Sequence, residues 1–274
     1  MSKKAHNRPS NLPDFLNPPL SEAVLGVQFT PPNGYQQILA GEVWNLYRDD
    51  YPKVEEKAPL EPAFEVFGLP SFSPQGQVKF LTGANHDRFW FIGNGGAELI
   101  QFQNDKFLHN WRDGIDLSSK YPRFEIMLSK FNSEIHKLQS YMHSLSGQEL
   151  SINQCEISYI NSILTPEPED NLPHKWLTFF DPKSSEPDDF NFTFREVIYG
   201  ADSAPQGRIT IEASTAINQK NQRLIRLTLT VRGAPKNNTI ESALEFMQVG
   251  RNIIVTKFAE LTTSYAHERW GRVK

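Results

Sequence analysis

Cysteine is almost missing from this sequence of 274 residues. Cys155 stands alone, so no intramolecular disulfide can staple the fold, and the chain fits a reducing compartment. Long apolar runs are missing too. No segment reaches the uninterrupted apolar length of a membrane span, and the opening MSKKAHNRPSNLPDF is basic without the apolar core of a secretory leader. A cytoplasmic protein with a flexible arm over residues 1–19 and no membrane partner is expected. An excess of one charge is also lacking: the formal net charge is -4, so binding of nucleic acid or an anionic surface would have to come from a local patch.

Strings that announce chemistry are equally scarce. No G-x-S-x-G nucleophile elbow occurs, and GNGG at 93–96 lacks the Lys and Ser or Thr of a phosphate-cradling loop, lying instead between two strand patterns. The seven histidines include no i, i+4 pair and have no cysteine companions, and His136 and His143, two turns apart, read as a surface coincidence. Cys155 falls in an apolar strand pattern, which points to an inert buried thiol. Glu98, Asp105, Asp113 and Asp116 are numerous enough to meet in space, but their spacing marks no acid pair. No catalytic residue, metal or cofactor is assigned.

Hydrophobic patterning is plentiful. In EAVLGVQF the residues Ala23, Leu25, Val27 and Phe29 alternate as a half-buried strand requires, and prolines 31 and 32 end it. Tyr35, Ile38, Leu39, Val43, Leu46 and Tyr47 recur at helical spacing and predict an amphipathic helix up to Pro52. The short alternating segments AFEVF, QVKFLTG, DRFWFIG and AELIQFQ follow, with turn residues between them, as in an antiparallel meander; GNGG reads as one of its hairpin turns. A helix beginning near Pro122 carries the stripe Phe124, Met127, Leu128, Phe131, Ile135, Leu138, Tyr141, Met142 and Leu145 and stops at Gly147. Strands are then predicted at CEISYINSIL, FNFTFREVIYG, GRITIEAST and QRLIRLTLTVRG. A closing helix from Thr239 to about His267 would be about 40 Å long.

The pattern gives an α+β fold, an antiparallel β-sheet covered on one face by long helices. Residues 20–146 and 147–274 each read as strand, connector, strands, helix, and the two halves together suggest a duplicated arrangement like that of the TATA-binding protein within one compact unit. In the strands of the second half, apolar residues alternate with Arg195, Arg226, Arg232, threonines and Glu212, so one sheet face should be polar and open. That face either holds an anionic ligand, a peptide or nucleic acid, or is solvated, with its arginines paired to neighbours such as Glu212.

Several segments carry a resemblance: NPPLSEAVLGVQF, ELIQFQNDKFLHNWR, the Tyr-Pro that starts the central helix, EISYINSI and the terminal AHERWGR. Together they resemble the sporadically distributed, functionally uncharacterised prokaryotic "sporadTIGR" family, with its P-P-L-x-E opening, N-W-R middle and W-G-R end. The resemblance implies a shared architecture more than a reaction, and the family's patchy distribution implies work in a bacterial defence or toxin-linked system. It singles out Glu22, Gln101, Asn110, Trp111, Arg112, Tyr121, Tyr159, Asn161, His267, Trp270 and Arg272.

Aromatic rings with polar handles, carboxamides and a guanidinium suit a pocket for a polar, partly planar ligand. Equally, Trp111 and Trp270 can anchor helices to the sheet while Arg112 and Asn161 bond loop carbonyls. The expectation is a non-catalytic binding or interaction protein whose partner is a protein or a small polar ligand. The alternatives are an enzyme using His267, or His109 near Arg112, for acid–base work, and a nucleic-acid binder using the open sheet face, which the charge disfavours. Either the last helix or an edge strand could support a homodimer.

Overall fold

The computed structural model describes residues 9–68, 88–113, 120–165, 167–181, 183 and 187–273. The alternation of Ala23 to Phe29 becomes strand β1 (Leu20–Phe29). Beside it stand β2 (Lys53–Lys57), β3 (Arg88–Ile92), β4 (Glu98–Gln103) and β5 (Lys106–Arg112), followed by β6 (Ile152–Leu164), β7 (Asn191–Tyr199), β8 (Pro205–Ile217) and β9 (Arg223–Gly233). They form one nine-stranded sheet in the order β2-β3-β4-β5-β1-β6-β9-β8-β7, and all its pairings are antiparallel. The expected α+β class with an antiparallel sheet is what the chain adopts. GNGG is the β3–β4 hairpin, in which the N–H of Gly93 donates to the carbonyl of Glu98 at 3.0 Å and Gly96 takes a φ of 72° that a side chain would disfavour.

One face of this sheet is covered by α2 (Phe124–Ser146) and α4 (Ile240–Leu261). Period-two alternation aims Leu25, Val27, Phe107, Ile157, Leu229 and Val231 at those helices, and all are buried. Gly147 ends α2 in the left-handed region. Gly250 permits the close approach of α4, since a Cβ there would lie 2.6 Å from Ile157 Cγ2. Where α4 does not reach, Phe179, Phe180 and Phe190 pack on Phe192 and Phe194 of the edge strand β7.

Four expectations need correcting. The helix over 35–47 shrinks to a 3-10 turn at Gln37–Leu39 followed by α1 (Ala40–Asn45), leaving Ile38 85% exposed; Gly41 lies in its middle, where glycine disfavours helix. The closing helix breaks at Thr262 and resumes as α5 (Ser264–Arg269). Both threonines there offer the backbone an alternative to helix: Thr262 Oγ1 donates to the Phe258 carbonyl at 2.7 Å, and Thr263 caps α5 by accepting from Ala266 N. The arm expected to be flexible instead joins the core where it is described, with Leu12 and Phe15 buried and Asn17 N donating to the Trp270 carbonyl at 3.0 Å.

The fourth correction concerns the second face. AFEVF is no strand: residues 58–68 lie across that face without joining the ladder, and Val24, Leu99 and Leu108 are buried on it. QVKFLTG lies outside the described residues, as do Asp116 and residues 1–8.

Candidate functional site

The expected site residues fall into three places. On the helix face, Trp111 of β5 packs its ring 5.1 Å from Tyr121, and the hydroxyls of Tyr121 and Tyr159 are 2.9 Å apart. Asn161, two residues along β6 from Tyr159, donates to the Leu227 carbonyl at 3.1 Å. This row follows from register: Ala23 stands between Trp111 and Tyr159, so the two large residues share a face on either side of a small one.

The row borders a cleft of about 60 Å³ whose lining includes Tyr121, Tyr159, Asn161, Arg123, Phe15 and Phe258. Its walls come from α2, β6, α4 and the amino-terminal arm. Such a volume admits a group of a few heavy atoms rather than a whole cofactor.

Arg123 sits at the rim, where its Nη1 meets Asp14 Oδ1 at 3.0 Å. Its backbone has φ 76° and ψ 151°, a region that is nearly exclusive to glycine and costs about 1–3 kcal/mol for any other residue. Strain of this kind persists only where the surroundings impose it. Behind the Phe124 wall, Arg251 of α4 is 4% exposed; its guanidinium lies 4.7 Å from the Phe124 ring and 3.1 Å from Glu125 Oε1, while Nε and Nη1 have no acceptor among the described residues. Burial first, and then the neighbouring Tyr159, hold the Tyr121 hydroxyl neutral far above its ordinary range.

His267 and Trp270 belong to a second place. Trp270 stacks on Phe258 at 5.3 Å and Trp176 at 6.0 Å, which fixes α5 against the end of α4. His267 is held by two bonds: its Nε2 is 2.8 Å from Thr262 Oγ1, whose own proton is committed to Phe258, and its Nδ1 accepts from Arg272 at 3.0 Å. That pattern is the neutral imidazole. Burial, and then the Arg272 charge, lower its pKa from the usual value, so it remains uncharged at pH 7.

The third place is the second sheet face, which carries Gln101, Asn110, Arg112, Arg195, Arg226 and Arg232. Asn110 donates to Glu22 at 2.6 Å and Gln101 donates to Asn110 at 3.0 Å, while Gln101 Oε1 accepts from Arg88 and from the Trp90 indole. Arg112 donates to the Gly96 carbonyl at 3.2 Å and lies over the Trp90 ring at 5.3 Å. Arg232 is engaged by Glu156 and by Glu65, and only Arg195 and Arg226 of the three arginines are exposed. The expected pairing of the arginines with Glu212 is therefore replaced, for Arg232, by Glu156 and Glu65.

The structure does not bring His109 to Arg112, because the two project from opposite faces of β5. His109 is instead sealed in the core, its Nδ1 2.8 Å from Glu134 Oε2, with the Tyr51 hydroxyl 2.5 Å from Glu134 Oε1. His109, Tyr51 and Glu134 are all buried, which leaves no path for a substrate and gives the cluster a packing role. Among the described residues no group of three His, Cys, Asp or Glu side chains is placed to hold a metal ion, and no helix is long and apolar enough to cross a membrane. Cys155 is buried and desolvation raises its thiol pKa, so it is a poor nucleophile.

Asp14, Phe15, Arg123 and Arg251 escaped the sequence reading. For Arg251 a signal was present: it falls between Met247 and Ile254 on the apolar stripe of α4, where a cation has to be stacked or paired. No family model matches the chain, and no curated protein shows significant sequence similarity to it.

Proposed function

We propose that this is a non-catalytic binding protein whose ligand site is the cleft beneath the amino-terminal arm. The observation that carries the reading is the strained, rim-placed Arg123 facing an apolar cleft whose polar groups are the Tyr121–Tyr159 hydroxyl pair and Asn161. Flat apolar walls accept a ring edge or short alkyl body, the hydroxyls and carboxamide accept and donate to its polar edge, and the guanidinium takes an anionic end. The ligand is a small, partly planar organic anion that inserts only its edge into the cleft, leaves the rest of its body outside and displaces Asp14 from Arg123.

Differential scanning fluorimetry with benzoate, 4-hydroxybenzoate and phenyl phosphate tests this. A bound ligand at ten times its Kd raises Tm by about 2–3 °C for a chain of this size. Such a rise is expected for at least one of the three, larger in Asp14→Ala, whose guanidinium is vacated, and absent in Arg123→Gln. A flat response from both the natural protein and Asp14→Ala defeats the reading.

The proposal extends to architecture and to setting. Strands β1 and β6 lie side by side at the centre of the sheet, each flanked by the last strand of its own half, and α2 and α4 follow those strands, which supports two duplicated halves of the TATA-binding-protein kind. Nucleic-acid binding gains little, because Arg208 and Arg232 of the second face are already neutralised by Glu65 and Glu156. Work in a cytoplasmic defence or toxin-linked system rests on the resemblance of the N-W-R and W-G-R segments, whose Trp111 and Trp270 pack behind the cleft-lining Tyr121 and Phe258.

A further inference from the structure

Residues 58–68 leave β2 and run at right angles to the strands over the second face. Gln103 of β4 grips Leu60 with both ends of its carboxamide, accepting from the backbone N–H at 2.8 Å and donating to the carbonyl at 3.0 Å. Gln28 of β1 accepts from Ala63 N at 2.9 Å, and Arg208 of β8 donates to the Val66 carbonyl at 2.8 Å. From β4 to β8 there are five strand spacings, about 24 Å. The six residue-to-residue steps from Leu60 to Val66 reach about 20–22 Å when fully stretched, so the chain is held almost straight.

These contacts read backbone, and side chains of the segment add to them. Glu65 points inward to Arg208 Nη1 at 3.2 Å and toward Arg232 Nη1 at 3.7 Å, and Phe67 lies 5.5 Å from the Arg208 guanidinium. Phe64 and Val66 face outward and are 57% and 59% exposed. The fit beneath is incomplete. A cavity of about 220 Å³ remains between this segment and Gly26, Leu108 and Gln154, and the buried Oε1 of Gln154 has no donor among the described residues.

We propose that the second face from β4 to β8 is a docking groove for an extended acidic segment of a partner protein, and that residues 58–68 occupy it in cis as a stand-in. The occupant is a stretch with a small residue over Gln28, a carboxylate two residues on that meets Arg208 and Arg232, and an aromatic ring two further on against Arg208. The backbone clips favour any extended chain, and the two arginines select the acidic one.

The test uses the whole protein carrying Glu65→Lys, which sets the cis segment against both arginines and leaves the groove intact. The probe is a fluorescein-labelled peptide with the sequence of residues 58–68, followed by fluorescence anisotropy. Binding to the variant at least tenfold tighter than to the natural protein is expected, with loss of binding when the peptide itself carries Lys in place of its Glu, or when Arg208→Glu is added to the protein. No saturable binding by the variant, or equal binding of the Glu and Lys peptides, overturns the proposal. Should Glu65→Lys not fold, Glu65→Gln is read by the same criteria.

Discussion

Replacing Glu134 by alanine is expected to cost about 3–5 kcal/mol of folding free energy, the magnitude for removing one partner from a buried, hydrogen-bonded polar cluster. Glu134 is 4% exposed and its two carboxylate oxygens serve the Tyr51 hydroxyl and His109 Nδ1, both of which lie in the core. Its backbone carbonyl also accepts from Tyr47 at 2.8 Å, so the residue ties α2 to the segment after α1 as well as to β5. Alanine leaves a buried hydroxyl and a buried imidazole nitrogen without their carboxylate partner and with only the long 3.5 Å contact between them, and that desolvation is the source of the loss. Urea unfolding followed by far-ultraviolet circular dichroism measures it. The joint replacement of Tyr51 by Phe, His109 by Leu and Glu134 by Leu removes all members together and is expected to cost far less than Glu134→Ala, because no orphan polar group remains. Equal losses would show that the cluster acts by shape alone.

Trp111→Ala is expected to be as damaging, about 3–5 kcal/mol, since the residue is 3% exposed and fills the space between Tyr121 and the sheet. Trp111→Phe separates ring from indole N–H. The Nε1 group is buried without an acceptor among the described residues, so losing it forfeits no hydrogen bond to them, and the phenylalanine variant should retain stability to within about 1.5 kcal/mol. Thermal and urea denaturation of the two variants check this directly. A Trp111→Ala protein with unchanged stability would mean that the row is not part of the core.

The strands of the second half were legible because their alternation is unbroken over many residues: Ile225, Leu227, Leu229 and Val231 stand opposite Arg226, Thr228, Thr230 and Arg232 in the sequence and on the sheet. The α2 stripe and its glycine stop were legible for the same reason. AFEVF misled because an extended segment alternates whether or not it pairs; its inward residues meet side chains of the sheet rather than a neighbouring strand, and period alone does not distinguish those cases. The break at Thr262 was missed because Leu261 and Tyr265 continue the helical period across it, while part of what holds the broken backbone, Thr263 N on the Trp176 carbonyl and Thr178 N on the Leu261 carbonyl, joins segments far apart in sequence.

The candidate site shows the same division. Trp111, Tyr121, Tyr159 and Asn161 stood out as residue types, and the antiparallel register of β5, β1 and β6 gathered them. Arg123 and Asp14 did not, because their pairing depends on the arm folding back along the carboxyl-terminal residues, through Asn17 N to the Trp270 carbonyl and Val273 N to the Asp14 carbonyl. No local pattern encodes that return.

A double variant, Tyr121→Phe with Tyr159→Phe, bears most directly on the idea that this cleft recognises a ligand. Both rings remain, so the packing is kept and only the paired hydroxyls are lost. Its ligand-induced Tm shift, measured with the three aromatic anions beside the unmodified protein, should vanish while the ligand-free Tm moves by no more than a few degrees. A full shift retained by the double variant would place recognition elsewhere on the molecule.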